Sequence, residues 1–499
     1  MSVAKYIPLT FVSSLKEKER LILNTMLIHH YGMEVEEDVA LSYYIEGTQY
    51  GFNASAKDEG VNRFVRISDI KNGGIDWDNV PFCDCDDPSS YLLKDHDIIV
   101  ARTGGTTGKS DIVHSPPKGS VYAGYLIRIR ANAETNPTFI SIFLNSYFYW
   151  EQITSLNRDE FRPSVNAKKL SALRLPKFSR LIQDEIARLA NSTRQDLASI
   201  IPEITPVIAA TQAQKSLEGE ILHQQSLLVK LKQVILQEAI QGKLTEDWRA
   251  ANPDIEPAGK LLQRIKDEKV RLIAEKKIRK EKPLPKINPE EIPFEIPEGW
   301  VWCRLLELSE KTGSGSTPSG GKSAYSDSGI PFLRSQNVHN TGLVLKDVAR
   351  ISDSIHERMS NTTVFPDDLL LNITGGSIGR CSIVTNKVKE ANVNQHVAII
   401  RPVDRSFGQY LHSIIISPYF QEKIEDAQTG AGREGLPKNK MDRIPIPLPP
   451  LAEQAVIIER VEALMATCQK LESEIEHSRN HAANLLQAVL KEAFAPANT

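Results

Sequence analysis

Residues 97–110 read DIIVARTGGTTGKS, and residues 368–381 read DLLLNITGGSIGRC. The two stretches lie 271 positions apart. At that spacing Asp97 meets Asp368, Thr103-Gly104-Gly105 meets Thr374-Gly375-Gly376, Gly108 meets Gly379 and Lys109 meets Arg380. The same spacing carries Ile129-Arg130 onto Ile400-Arg401, Ser146 onto Ser417, Arg162 onto Arg433 and Pro176 onto Pro447. Slightly upstream, FVRISDI (64–70) matches FLRSQNV (332–338), with Arg66 facing Arg334. A constant offset over this span marks a duplicated domain, so both copies must share one fold. Residues 1–45 resemble no part of the second copy, which leaves the start of the first copy undefined.

The repeated stretch imitates a phosphate-binding loop without being one. A Walker loop needs Gly, four residues, then Gly-Lys-Ser/Thr, between a strand and a helix. Thr103 stands where the first Gly is needed, and the second copy ends Gly379-Arg380-Cys381. The flanks Asp97–Ala101 and Ser110–Val113 read as strands, and a turn between strands offers no helix N-terminus to a phosphate.

Each copy is followed by a heptad segment. Val207, Ala210, Gln214, Leu217, Ile221, Gln224, Leu228, Leu231 and Ile235 fall at alternating steps of three and four. So do Val461, Leu464, Cys468, Leu471, Ile475, Ser478, Ala482, Leu485 and Val489. Such spacing predicts one apolar seam along each helix, with the polar Gln224 and Ser478 at equivalent places. The offset is now 254, so the first copy carries 17 extra residues between Gln183 and Val207. Pro202 and Pro206 lie there and predict a broken or bent entry to the first helix. Gly242 is a C-cap signal. The charged stretch 260–282 reads as a solvated helix, and Pro283, Pro285, Pro289, Pro293 and Pro297 as an extended linker. The order is domain, helix, linker, domain, helix. Paired antiparallel, helices of about thirty residues at ~1.5 Å each form a rod of roughly 45 Å, long enough to hold two reading heads one DNA turn of ~34 Å apart.

The chain of 499 residues carries a net charge of −3, so any nucleic-acid binding must rest on local patches. No apolar run approaches the length of a membrane span, and the N-terminus has no signal-peptide pattern, so a cytoplasmic protein is expected. The odd count of five cysteines, with no second ligand pair at zinc spacing after Cys83 and Cys85, predicts reduced thiols and no metal site.

The repeated TGG-x-x-G turn, the exit motif IPIPLPPLAEQAVIIERV (444–461), EAIQGKLTEDWR (238–249) and PLPKINPEEIPFEIPEGWVW (283–302) make the chain resemble the specificity subunits of type I restriction-modification systems. The resemblance implies an α+β class: two α/β target-recognition domains in tandem duplication, separated by two long helices that form an antiparallel coiled coil. The expected divisions are a first recognition domain over 1–190, a central helical region over 191–250 and a charged helix with Pro-rich linker over 251–296. The second recognition domain follows over 297–455, and a C-terminal coiled-coil helix over 456–499. Each domain would read one half of a split, asymmetric site in double-stranded DNA. The helices would set the gap and dock two modification subunits, which carry S-adenosylmethionine and methylate adenine, and two restriction subunits, which use ATP and Mg. The chain itself would bind no cofactor. It lacks the Asn/Asp-Pro-Pro-aromatic tetrapeptide of an adenine methyltransferase, since Ser115-Pro116-Pro117-Lys118 and Leu448-Pro449-Pro450-Leu451 supply neither end of it. The competing reading is a coiled-coil scaffold without direct DNA readout.

If DNA is bound, the repeated turns are the candidates for placing amides, hydroxyls and a cation at phosphates. They comprise Thr103, Gly104, Gly105 and Lys109 in one copy, and Thr374, Gly375, Gly376 and Arg380 in the other. The alternative is a structural turn whose glycines need positive φ. Arg66 and Arg334 join them, as do the basic clusters Arg162, Lys168 and Lys169, and Arg433, Lys438 and Lys440, for which plain solvated charge is the alternative. Positions that differ between copies are candidates for base readout. Arg102, facing Ile373, suits guanine, and Asn372, facing Ala101, suits adenine. Loops 53–57 and 313–322 are further candidates. The helix-pair seam is expected at Leu217, Ile221, Leu228, Leu231, Ile235, Leu471, Ile475, Leu485 and Val489.

Overall fold

The structure, a computed structural model, describes residues 15–71, 74–104, 106–157, 164–429 and 435–493. It divides into two compact units. One comprises Met1–Ile221 with His477–Thr499, the other Leu222–Glu476.

Each unit contains the same four-stranded antiparallel sheet. In the first unit the strand order is Ile45–Tyr50, Leu126–Ala131, Ile98–Ala101, Ser110–Ile112; in the second it is Ser309–Ser314, Val397–Pro402, Leu369–Asn372, Cys381–Ile383. Even the register repeats, with Ile129 opposite Ile98 and Ile400 opposite Leu369. Strand side chains alternate between faces, and the sheets use both faces. Ile98 and Val100 enter the main core with helix Pro137–Leu144, while Ile99 and Ala101 enter a smaller cluster with Val65 and Tyr122. Leu369 and Leu371 point to the main core of the second unit and Leu370 to its smaller cluster. A strand buried on both faces is why these stretches read as unbroken apolar runs.

The structure gives the first copy a start that its sequence leaves undefined. Asp38–Ala40 pairs with Arg174–Pro176 just as Val301–Arg304 pairs with Pro445–Leu448. The Leu41 N–H donates to Leu173 O and the Leu305 N–H to Ile444 O. Backbone pairing needs few particular side chains, so the equivalence survives although Asp38-Val39-Ala40 and Trp302-Cys303-Arg304 share no residue. Helix Leu15–Gly32 precedes it, contributing Ile22, Leu27 and Ile28 to the core.

The proline-bearing insertion breaks the first helical region into Arg180–Ala190, Arg194–Ile200 and the long helix Ile204–Ile240, where the second copy has one helix, Leu451–Ala493. Gly242 ends the first long helix with a φ of 70°. Both long helices contribute to both units and run antiparallel. In the second unit Lys232 pairs with Glu472 at 2.7 Å, and in the first Val489 packs on the core that holds Val207.

Two expectations need correcting. The alternating seam is not buried as a whole. Every seventh residue, Val207, Gln214, Ile221, Leu228 and Ile235, is buried, as are Val461 and Cys468, with Ile475 and Val489 half-buried. The interleaved row, Leu217, Leu231, Leu464, Leu471 and Leu485, is exposed. The half-buried partner row in the first helix is Thr211, Glu218, Gln225 and Lys232, four positions after each buried residue, so this seam is polar along one side. Nor is the charged stretch merely solvated: helix Ala258–Ala274 buries Ala258, Leu261 and Ile265 on the second unit's core. All five cysteines are free and buried. Among the described residues no helix is long and apolar enough to cross a membrane.

Candidate nucleic-acid interface

In each unit the repeated turn closes the hairpin between the third and fourth strands. The Gly108 N–H donates to Ala101 O at 2.8 Å and the Ala101 N–H to Lys109 O at 2.7 Å; the Gly379 N–H donates to Asn372 O at 2.9 Å and the Asn372 N–H to Arg380 O at 2.8 Å. Gly104 and Gly375 hold φ of 85° and 76°, with open space where a Cβ would sit. Gly108 and Gly379 are placed differently. A Cβ on Gly108 would lie 3.1 Å from Trp150 and Ile153, and one on Gly379 would lie 2.1 Å from Gln421 Oε1. The second glycine therefore packs the turn onto a helix, while the first leaves an exposed elbow.

Two further segments join each turn. The Arg102 N–H donates to Tyr125 O and the Val165 N–H to Arg102 O, while the Ile373 N–H donates to His396 O and the Leu436 N–H to Ile373 O. Thr103 bridges Ser164, and Thr374 bridges Gly435. The backbone frame is thus duplicated, and the side chains on it are not. The Arg102 guanidinium lies 4.7 Å over the Tyr50 ring, next to the exposed Tyr125. The second unit has Thr374 Oγ1 2.5 Å from His396 Nδ1, Gln395 Nε2 3.1 Å from His396 Nε2, and Thr317 hydrogen-bonded to Gln395. Tyr50, Tyr125, Gln395 and His396 were not singled out from the sequence. The signal that finds them is that they differ between copies on strands and loops that the turn touches.

The predicted cations fall into two groups. Several are occupied by the fold. Arg66 makes a bidentate pair with Asp69 at 3.1 and 2.9 Å, which raises its pKa above the ordinary guanidinium value. Lys438 Nζ donates to Asp442 at 2.5 Å and to Thr312 at 2.7 Å. Arg334 differs from Arg66 because Asn337 replaces Asp69. Its N–H donates to Asn337 Oδ1 at 2.9 Å, but among the described residues no carboxylate pairs with the guanidinium, whose Nε is buried without a partner. Lys168, Lys440 and Arg380 are exposed, and Lys109 is half-buried. Gly376 is exposed in the second turn. Gly105, Arg162 and Arg433 lie outside the described residues.

Asn372 requires a correction. It is wholly buried, and its Nδ2 donates to Ser335 O at 2.9 Å and to Ser377 Oγ at 3.1 Å. An amide occupied inside the turn cannot present itself to a base edge, so Asn372 braces the turn.

The matched pairs Asp97/Asp368 and Arg130/Arg401 also have a structural role. Arg130 meets Asp97 at 2.7 and 2.8 Å, and Arg401 meets Asp368 at 2.7 and 2.6 Å. The motifs that carry the resemblance converge in the second unit. The Trp300 Nε1–H donates to Glu453 Oε2 at 2.8 Å, Thr245 Oγ1–H donates to Glu453 Oε1 at 2.7 Å, and Arg249 pairs with the same carboxylate. Arg460 reaches Asp247 at 2.5 and 2.9 Å. EAIQGKLTEDWR, PEGW and PLAEQ therefore meet at one fully buried glutamate.

Residues 297–478 match the family model described as a type I restriction modification DNA specificity domain. The chain is 30% identical over 267 residues to the EcoAI specificity subunit of Escherichia coli, covering 53% of this chain and 44% of that protein. It is 23% identical over 440 residues to the EcoKI specificity subunit of Escherichia coli K12, covering 86% and 81%. The match to EcoAI, like that to EcoEI, spans less than half of the relative's length. Among solved structures, the HsdS subunit of Thermoanaerobacter tengcongensis aligns over 92% of this chain and 96% of its own at 19% identity, with a TM-score of 0.35. The chain is therefore similar to type I restriction-modification specificity subunits, through that family model over residues 297–478 and through relatives along most of its length.

Proposed function

We propose that this chain is the non-catalytic DNA-recognition subunit of a type I restriction-modification complex. Each unit reads one half of a bipartite, asymmetric site in double-stranded DNA. The long helices set the gap between the halves and dock two modification subunits, which bring S-adenosylmethionine and methylate adenine. Two restriction subunits add ATP- and Mg-dependent cleavage.

The observation that carries this reading is the duplicated turn frame with copy-specific side chains. One frame presents Arg102 with Tyr50 and Tyr125, and the other presents Thr374 with Gln395 and His396. Equal frames dock equivalently on a duplex, and unequal side chains read unequal bases. The Thr103 and Thr374 hydroxyls, the open elbows at Gly104 and Gly375, and Lys109, Lys168, Arg334, Arg380 and Lys440 serve the phosphates. The exposed leucine row supplies apolar surface to the modification subunits.

The test is to co-express the chain with its neighbouring modification subunit in a methylation-free host and to sequence the genome for methylated adenine. A split motif with a fixed gap supports the reading, and Arg102→Ala should then relax one half-site only. Absence of new methylation from an assembled, cofactor-binding complex would favour a scaffold without DNA readout.

A further inference from the structure

The hairpin Ile98–Ala101 and Ser110–Ile112 has a second end, away from the Thr103 turn. The chain enters there through Asp95 and His96 and leaves through His114. Asp95 Oδ2 lies 3.4 Å from His96 Nδ1, and the His96 and His114 rings meet edge to face at 5.7 Å between centroids. One ligand atom from each of the three residues lies within 4.8 Å of the others, and all three are exposed. We propose that Asp95, His96 and His114 bind a divalent transition-metal ion of the Zn²⁺ class, which clamps the entry of this hairpin to its exit.

Two imidazoles and one carboxylate are a donor set suited to such ions and poorly suited to Ca²⁺ or Mg²⁺. Ligand atoms ~2.0–2.2 Å from a tetrahedral metal stand roughly 3.3–3.5 Å apart. The observed cluster reaches that spacing by rotation of side chains that water already surrounds, and three protein donors leave the fourth position to water. Asp95 is also held in place from outside the cluster. The Ser115 N–H donates to its Oδ1 at 2.9 Å, which leaves Oδ2 on the imidazole side; such outer support is typical of metal ligands.

The duplication provides an internal control. At the equivalent hairpin end Asp367 has the same φ of 67° as His96. The N–H of each donates at 2.8 Å to the matching valine carbonyl, Val384 or Val113. Pro366 and Thr385 stand in place of Asp95 and His114. The same backbone therefore forms without either histidine, so the turn does not account for the pair. This site is independent of the DNA-reading assignment.

The experiment is titration of the full, metal-stripped chain with Zn²⁺ by calorimetry and with Co²⁺ by visible absorption. The expected result is a tetrahedral Co²⁺ spectrum at this site. His114→Thr, which installs the second copy's residue, and His96→Asn, which tolerates positive φ, should each weaken binding by at least about tenfold, with metal-free melting unchanged. His477 and His481, with rings 4.2 Å apart, are a competing chelate. The proposal is overturned if His481→Ala removes the binding, if His114→Thr binds as tightly as the parent, or if the parent binds neither ion.

Discussion

Asp368 is fully buried and receives Arg401 through two hydrogen bonds and Arg405 through a third at 2.9 Å. Removing one partner of such a group leaves an uncompensated buried charge, which costs about 3–5 kcal/mol. Asp368→Asn is therefore expected to lower the melting temperature of the second unit by roughly 6–20 °C, measured by calorimetry. Asp97→Asn should act similarly in the first unit, where Arg130 is the ion partner. A change below about 2 °C would mean that the ion pair is dispensable. At this scale the repeat identifies equivalent residues but not their roles. Asp97, Arg130, Asp368 and Arg401 match because they hold the sheet together, whereas Arg66 and Arg334 match in sequence and differ in availability. One side chain three positions on, Asp69 or Asn337, makes that difference by pairing with the guanidinium or leaving it without a carboxylate.

At the scale of elements, the Pro-rich segment 283–297, inside the second unit, is pinned by a buried guanidinium. Arg304, one of the largest fully buried side chains, donates to Glu291 at 2.6 and 2.9 Å, to Arg443 O at 2.5 Å and to Lys286 O at 3.1 Å. The guanidinium lowers the Glu291 pKa from 4.5 to about 2. A carboxyl whose folded pKa is depressed adds stability above its unfolded value and loses it as pH falls. The contribution should be complete above pH 4.5 and vanish toward pH 2. With Glu291 more than a third exposed, solvent screening leaves roughly 1–2 kcal/mol. Thermal melts of Glu291→Gln and the parent should differ at pH 6 and converge only toward pH 2; parallel curves would remove the pair from the stability of this linker. The linker's extended character was readable from its prolines. Its anchorage was not, because Arg304 lies in a strand that sequence pattern alone marks only as apolar.

For the whole molecule, the exposed heptad row decides what the helices are for beyond holding their own units. Leu231 and Leu471 are 43% and 40% exposed and contribute little to the folded chain. Leu231→Glu with Leu471→Glu should leave melting within about 2 °C of the parent while abolishing co-purification with the modification subunit. Retained co-purification would place the docking surface elsewhere. With a net charge of −3, the assembled complex should also bind duplex DNA through local cations, so its affinity should fall steeply between low and physiological salt. A salt-independent affinity would exclude phosphate contacts by Lys168, Arg334, Arg380 and Lys440.

Sequence by itself determined the features that depend on spacing along the chain. The duplication at 271 residues, the strand-turn-strand nature of TGG-x-x-G, the interrupted first helix and the heptad period are of this kind, because backbone geometry is periodic and local. The tertiary structure alone decided which row of each heptad is buried, that Asn372 faces inward, that Arg334 meets no carboxylate among the described residues, and that Trp300, Thr245 and Arg249 meet on Glu453. Each of these depends on what a distant segment brings to the same place. Burial and charge pairing belong to two surfaces at once, and a one-dimensional pattern records only one of them.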